Sequence, residues 1–245
     1  MELLKLILSR RQHGWRLTDL AEQSGIGLST THRLVQYLLR ERLVQLRDHD
    51  RHYVAGPALF ELGLSLPSSY AHFVEGCGPV LSRICRQTQG VAYVMIRSNA
   101  ESVCIARKGS LNTKALTIDV GSRRPLVLSA GGLAILIALG KTDMSRALKL
   151  NRAAVRQRQR PPGPFEAALR ESLRLGFGIY RGPFMPGIQA VGAAAVDSSG
   201  RAFGSVSVAV TATDSSLTRV RQIADMLRVE AAAIANELAR SNLQL

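Results

Sequence analysis

From residue 73 onward the chain has no histidine: all five (His13, His32, His49, His52 and His72) stand in the first 72 residues. A Ser-His-Asp or Cys-His hydrolase needs an imidazole base, so the larger part of the sequence lacks that machinery. Cysteine is scarce as well. Cys77, Cys85 and Cys104 are odd in number and show no C-x-x-C pairing. A disulfide scaffold or zinc ribbon is therefore not expected, and the three thiols read as core residues in a reducing cytoplasm. Long apolar runs are missing too: the longest uncharged stretch, Pro125 to Gly140, has 16 residues, short of the roughly 20 that a membrane span needs. The start, Met1-Glu2-Leu3-Leu4-Lys5, places charges within a short apolar stretch and predicts no secretory signal. Gly176-x-Gly178-x-x-x-Gly182 has neither the GxGxxG spacing nor the Lys-Ser/Thr of a P-loop, so no nucleotide cofactor is implied. What these absences leave is a soluble globular protein with no metal, no cofactor and no enzymatic activity expected, and 245 residues favour two domains.

Acids are the minority charge, 18 Asp and Glu against 32 Lys and Arg, for a net charge of +14. Such a balance suggests a polyanionic partner, nucleic acid first. Its distribution does not single out a DNA-binding segment. Residues 1–66 carry 9 Lys/Arg against 7 Asp/Glu, whereas residues 67–245 carry 23 against 11. A DNA-binding assignment must therefore rest on a motif.

The first 66 residues supply one. Leu3, Leu4, Ile7 and Leu8 line one face of a short helix that Gly14 ends. A second helix starts at Leu17-Thr18, where the Thr18 hydroxyl can cap free N–H groups and Asp19 suits the positive helix end. Ser24-Gly25-Ile26-Gly27 makes a tight turn, and a third helix follows from Leu28 to about Arg42. Its inner face would hold Thr31, Leu34, Val35, Leu38 and Leu39. Its outer face would show Ser29, Thr30, Arg33, Gln36, Tyr37 and Arg40, free of acids until Glu41. This is the helix-turn-helix pattern, although a plain helical subdomain would read similarly. Short Ser and Thr side chains let a helix start approach a major groove, and Arg33 can fork onto guanine or phosphate. Leu43–Arg47 and Arg51–Val54 then read as a hairpin around Asp48-His49-Asp50. It forms a wing that brings Arg47, Arg51 and His52 to the sugar-phosphate backbone. The His49 and His52 pair beside two aspartates could suggest a metal, but a hairpin tip gives no enclosed cage.

Leu17-Thr18-Asp19-Leu20-Ala21, Ser29-Thr30-Thr31-His32-Arg33-Leu34 and Tyr53-Val54-Ala55-Gly56-Pro57-Ala58-Leu59 closely resemble the N-terminal domain of the isocitrate-lyase-regulator (IclR) family of bacterial transcription factors. The resemblance implies a winged helix that contacts double-stranded DNA through Thr18, Ser29, Thr30, His32, Arg33, Gln36, Tyr37 and Arg40, with Arg47, Arg51 and His52 on the wing. Members usually carry residues ahead of the first helix, whereas here Met1 begins almost inside it.

Beyond this domain (residues 1–56) a linker helix is expected over 57–73, ended by Pro67-Ser68-Ser69, and an effector domain over 74–245. A helix from Val74 to Gln87 leads to strands at Val91–Arg97, Val103–Arg107 and Lys114–Ile118. Helices follow at 130–139, 142–150 and Phe165–Leu175. Strands Ile188–Val196 and Phe203–Val210 bracket the turn Asp197-Ser198-Ser199-Gly200. A last helix spaces Leu217, Val220, Ala224, Leu227, Ala231, Ile234 and Leu238 by threes and fours, which suits a sheet-covering helix better than a short coiled coil. The basic run Arg146 to Arg160, six cations and no acid, reads as a solvated face and loop, or as an accessory anion contact. Strands paired mainly to sequence neighbours with helices outside describe an α+β fold. Gly121-Ser122-Arg123-Arg124-Pro125-Leu126, Pro186-Gly187-Ile188 and Asp197–Gly200 resemble the family's effector domain, which implies a GAF-like α/β sandwich with a mainly antiparallel sheet.

Alternation puts Ala190, Gly192 and Ala194 on one face of one strand and Ser205, Ser207 and Ala209 on one face of the next. Small residues there either admit a close-packed helix or leave room for a ligand. By position, the resemblance implies an effector site at Leu128, Ala130, Gly131, Tyr180, Arg181, Ala190, Ser207 and Ala209. The family often has histidine where this chain has Leu128, cysteine where it has Ala190, acids around Tyr180 to Pro183, and serine at Ala209, so the effectors of other members are not expected here. Tyr180-Arg181 in place of acids points to a small organic anion, a carboxylate held by Arg181, Ser207 and the N–H groups of Ala130-Gly131-Gly132. The expectation is a DNA-binding regulator controlled by such an effector, acting as a homodimer or homotetramer without membrane attachment. The alternative is a DNA-binding scaffold whose second domain only oligomerises.

Overall fold

The structure, a computed structural model, describes residues 1–9, 13–111, 118–157, 163–181, 187–213 and 215–243. It forms two compact units, Met1–Pro67 and Ser68–Leu245.

In the first unit, α1 (Glu2–Leu8), α2 (Leu17–Ser24) and α3 (Leu28–Arg40) precede a hairpin of β1 (Val44–Leu46) and β2 (Tyr53–Ala55), then α4 (Ala58–Leu64). Leu3, Leu4 and Ile7 of α1 meet Leu20, Val35, Val44 and Tyr53 in one apolar core. The sequence reading missed Trp15, which also lies in that core and exchanges two backbone hydrogen bonds with Tyr53, at 3.0 and 2.8 Å. Thr18 does not cap α2. Arg16 occupies the cap position in extended conformation, and Thr18 lies inside the first turn, donating its hydroxyl to Asp19 Oδ1 at 3.2 Å. A capping side chain must come from a residue whose own backbone is still outside the helix. Leu34 also leaves the inner face of α3. It is 37% exposed, while Thr31 and Val35, one turn apart, are fully buried. Gly56 of the Gly-Pro-Ala-Leu motif is required by close approach: a Cβ there would collide with the Arg42 carbonyl oxygen.

The second unit opens with α5 (Ser68–Thr88), which starts six residues before the expected Val74 and carries Pro79 within it. Hairpin β3 (Val91–Ser98) and β4 (Glu101–Lys108) turns at Asn99, whose φ is +58°. A short strand, β5 (Arg123–Pro125), and a 3-10 turn over Leu126–Leu128 lead into α6 (Ala130–Ile137), α7 (Lys141–Gln157) and α8 (Gly163–Leu175). Strand β6 (Gly178–Tyr180), hairpin β7 (Ile188–Val196) and β8 (Ala202–Thr211), and α9 (Leu217–Arg240) complete it. The three-residue strands β5 and β6 were missed because so few residues show no alternation. The strand expected over 114–118 lies outside the described residues except for Ile118. The basic run from Arg146 is helical as far as Gln157.

The sheet is antiparallel throughout, in the order β5-β4-β3-β8-β7-β6. Helices α5 and α9 cover one face, where Val191, Ala193, Val206 and Val208 meet Ile84, Leu227 and Ile234. The two helices are tied by Arg83, which grips the buried Glu230 carboxylate with two hydrogen bonds of 2.9 and 2.7 Å. A forked pair of this kind fixes orientation as well as charge. On the other face lies α6, flanked by α7 and α8. Asn151 of α7 is fully buried; it accepts from Val127 N at 2.9 Å and donates to the Ala100 and Ala147 carbonyls at 2.7 and 2.9 Å.

Candidate DNA-binding and effector-binding faces

The outer side of α3 is free to meet a ligand. Ser29, Thr30, His32, Arg33, Tyr37 and Arg40 are exposed and Gln36 is half-buried. His32 and Gln36 approach at 3.3 Å, and the Arg40 guanidinium lies 5.8 Å from the Tyr37 ring centre. Thr31 faces inward and donates its hydroxyl to the Ile26 carbonyl at 3.2 Å, fixing the turn to the helix. No side chain caps α3, whose N-cap is Gly27, so its first N–H groups and positive end are open to an anion.

The wing divides its three basic residues. Arg47, expected on the DNA backbone, donates to Asp50 at 3.0 Å and to the His13 carbonyl at 3.0 Å, closing the hairpin onto the chain before α2. His52 turns to the same acid, with its Nδ1 2.8 Å from the Asp50 carbonyl oxygen and 3.0 Å from Oδ2. Arg51 is exposed at φ +57°; its N–H donates to the Arg47 carbonyl at 2.9 Å, and its side chain has no partner among the described residues. The Arg47 hydrogen bond, aided by the His52 N–H, holds the Asp50 carboxyl well below the usual carboxylate range. Asp50 thus holds both the Arg47 guanidinium and the His52 ring inside the wing, which the sequence pattern could not show.

In the second unit, strand pairing sorts the expected effector residues. Ala190, Ser207 and Ala209 share the α6 side of the sheet with Tyr180, because Tyr180 pairs with Ala190 and Ala190 with Ala209. Ala130 and Gly131 begin α6 under a Ser129 side-chain cap, which accepts from Gly132 N at 3.0 Å. Leu128, in the turn just before, is partly buried against the same cluster as Ala190. Arg181 is not brought to this face. One step beyond Tyr180, it points its guanidinium at Glu171, 3.8 Å away, and donates to the Ser215 carbonyl at 3.4 Å. Strand β6 ends at Tyr180, and with its guanidinium turned to Glu171 and Ser215, Arg181 does not join Tyr180 on the α6 side.

The small residues divide into two groups. Toward β6, a Cβ on Gly178 would collide with the Ala130 carbonyl oxygen, and one on Gly192 would lie 2.7 Å from it. There the small face admits a close-packed helix. Farther along, Ala209 and Ala190 pack with Val91, Tyr93, Met95 and Cys104 beneath Leu111, Ile118 and Ile188. Tyr93 was not foreseen, although its register opposite Ser207 places it at the centre of this face. Burial pushes the Cys104 thiol up to about 12, so it stays neutral. A separate cavity of about 110 Å3 lies among Val127, Leu148, Val155, Phe165 and Leu169, with the Arg152–Glu166 pair (3.0 Å) at its rim. None of the expected effector residues lines it.

A helix-turn-helix unit with a two-stranded wing, followed in the chain by a unit whose antiparallel sheet is covered by helices on both faces, is the architecture of a two-part regulator. Residues 1–48 match the IclR helix-turn-helix domain, and residues 69–236 match the family described as bacterial transcriptional regulator IclR C-terminal. The chain belongs to the IclR family of bacterial transcriptional regulators, a family of regulators and not of enzymes. It is 24% identical over 134 residues to the transcriptional repressor IclR of Escherichia coli, covering 54% of this chain and 48% of that protein. The chain's matches span about half the length of the curated relatives. Among solved structures, an IclR family regulator from Brucella abortus superposes with a TM-score of 0.70 at 16% identity, over 96% of this chain and 89% of that one. An IclR homolog from Microbacterium hydrocarbonoxydans, complexed with 4-hydroxybenzoate, gives 0.67 at 16% identity, over 98% and 97%. At such identities these structures speak for the fold. Among the described residues no helix is long and apolar enough to cross a membrane.

Proposed function

We propose that this protein is a cytoplasmic, sequence-specific DNA-binding regulator. It reads double-stranded operator DNA with α3 and the wing, and its C-terminal unit, residues 74–245, binds a small organic acid that changes operator affinity. The reading domain would span residues 1–56 and the linker 57–73. Ser29, Thr30, His32, Arg33, Gln36, Tyr37 and Arg40 would face the groove, with Thr18 and Arg51 beside the phosphates. Arg47 and His52 would support the wing from within. Homodimers or homotetramers fit the exposed apolar run of α4 and its end, where Phe60, Leu62, Leu64 and Leu66 are uncovered in the single chain, since contiguous exposed apolar side chains mark association surfaces.

The effector reading is carried by one observation: beyond Gly178, Gly192, Ser205 and Ser207, on which α6 packs, the same sheet face continues in the small residues Ala190 and Ala209. The complex of the Microbacterium homolog with 4-hydroxybenzoate supports an acid as the ligand class. Coupling needs only that the ligand binds the DNA-competent and DNA-incompetent states unequally. The closing of the β6 end by α6 favours the alternative, a scaffold that binds no ligand. Gel shifts on DNA flanking the protein's own gene, with and without a panel of carboxylates and neutral metabolites, decide between them. A regulator shows at least one ligand that moves operator affinity and raises melting temperature; a scaffold shows none.

A further inference from the structure

Almost every acid of the second unit is already engaged. Among residues 67–245, nine of the eleven aspartates and glutamates lie within 4.0 Å of an arginine, so the cations in excess are those that no acid reaches. They gather on α7. Lys141, Arg146, Lys149 and Arg156 are exposed there and have no partner among the described residues. By contrast, Arg152 is held by Glu166 at 3.0 Å, and Asp143, the one acid of α7, lies 4.0 Å from Arg97. The helix period sorts these side chains. Ala147, Asn151 and Val155, four apart, are buried, and Arg146, Lys149 and Arg156 lie on the opposite side, spread over about 15 Å of helix axis. The three hydrogen bonds of buried Asn151 seat α7 and fix the direction of the row.

Within the chain the row is unfavourable. Like charges three and four residues apart destabilise a helix, and the helix dipole favours cations only in the last turn, which accounts for Arg156 but not for Arg146 or Lys149. The row becomes favourable only against an anion. An extended row on the outside of a helix does not enclose a small anion; it matches a polymer whose charges recur, and duplex DNA carries one per roughly 1.7 Å of axis. An acidic protein surface would need apolar anchors as well, and on α7 the one exposed large apolar side chain is Leu150. We propose that the outer face of α7, through Arg146, Lys149 and Arg156, is a second DNA-contacting surface. It binds the phosphate backbone of duplex DNA without reading its sequence. The choice of duplex DNA as the anion rests on the reading of the first unit as a DNA binder.

The test uses the full chain, a duplex from the DNA flanking its own gene and an unrelated duplex of equal length, in anisotropy titrations between 50 and 200 mM salt. Each phosphate contact adds about 0.9 to the slope of log affinity against log salt. Over that range the wild type should therefore lose about fortyfold more affinity than the triple variant Arg146→Gln/Lys149→Gln/Arg156→Gln. The difference should appear on both duplexes and leave the preference between them unchanged. The melting temperature of the triple variant should hold or rise, because the like charges are gone. Arg146→Lys/Arg156→Lys, which keeps the charge, should keep the wild-type slope. A triple variant that matches the wild type in slope and affinity overturns the proposal and leaves the row to an acidic protein. If the flanking duplex is still preferred in that case, the reading of the first unit stands. A wild type that binds neither duplex overturns both.

Discussion

The two faces that matter here are opposites in burial. On α3 the side chains assigned to DNA are exposed, and only Gln36 is half-buried. On the effector side, Tyr93, Ser207, Ala209, Ala130 and Tyr180 are all buried. A surface that reads a large rigid partner can be built by leaving polar side chains on the outside of an already stable helix. A surface that encloses a small molecule must be cut out of the core, so its residues answer to packing as well as to the ligand. Substitutions should therefore separate function from stability in the first unit and entangle them in the second.

The largest expected effect tests the first half of that contrast. Arg33→Ala should lower specific operator affinity about a hundredfold or more, since a good base contact is worth about 1–3 kcal/mol and the proposed dimer would lose two. The melting temperature should stay unchanged, because Arg33 is exposed and belongs to no part of the apolar core. Gel-shift affinity at fixed salt that does not move would remove α3 from the groove.

Gly178→Ala tests the second half. The new methyl would meet the Ala130 carbonyl oxygen, so stability should fall by about 1–3 kcal/mol and the melting temperature by several degrees. Ala190→Val, at the other end of the face where Ala190 is only partly buried, should cost less than about 1 kcal/mol yet weaken the effector response. Equal losses at the two sites would mean that α6 fills the whole face and would favour the scaffold.

The smallest effect concerns the wing, the one part of the DNA-binding unit that behaves like the effector domain. Because Asp50 is held below its ordinary value chiefly by Arg47, the hairpin keeps its lock at neutral pH. It should lose that lock as pH falls below about 4, through the folded-state value, where the carboxylate takes up a proton. Amide exchange in β1 and β2 should accelerate over that range in the wild type. In Arg47→Gln it should already be fast at neutral pH. Protection insensitive to acid would show that Trp15 and Tyr53 alone hold the hairpin.

The same contrast explains what could be read from the sequence. The helix-turn-helix was legible because apolar period and polar outer face are both local patterns, and Arg33 stands out when its neighbours are Leu34 and Val35. Hairpins β3–β4 and β7–β8 were legible for the same reason. Thr18 and Arg47 were misplaced because their roles depend on which backbone or carboxylate lies within reach: Arg16 takes the cap and Asp50 takes the guanidinium. Tyr93 was invisible as part of the effector face because a tyrosine within Val91–Met95 reads as strand core, and only its register opposite Ser207 gives it another meaning. Arg181 was misread because its neighbour Tyr180 belongs to a strand too short to announce its alternation.

The sheet order also bears on how the protein is made. Strand β3 ends at Ser98 and its central partner β8 begins at Ala202, so the two inner strands are separated by more than a hundred residues of chain. The first unit closes on local contacts and can fold as soon as it leaves the ribosome. The second must wait, holding Val91–Met95 as an unprotected apolar edge until β8 is synthesised, which is the arrangement most prone to pairing with a foreign strand. Each nascent chain thus carries a complete helix-turn-helix unit before the sheet of the second unit can close, and that closure is the step expected to be slow.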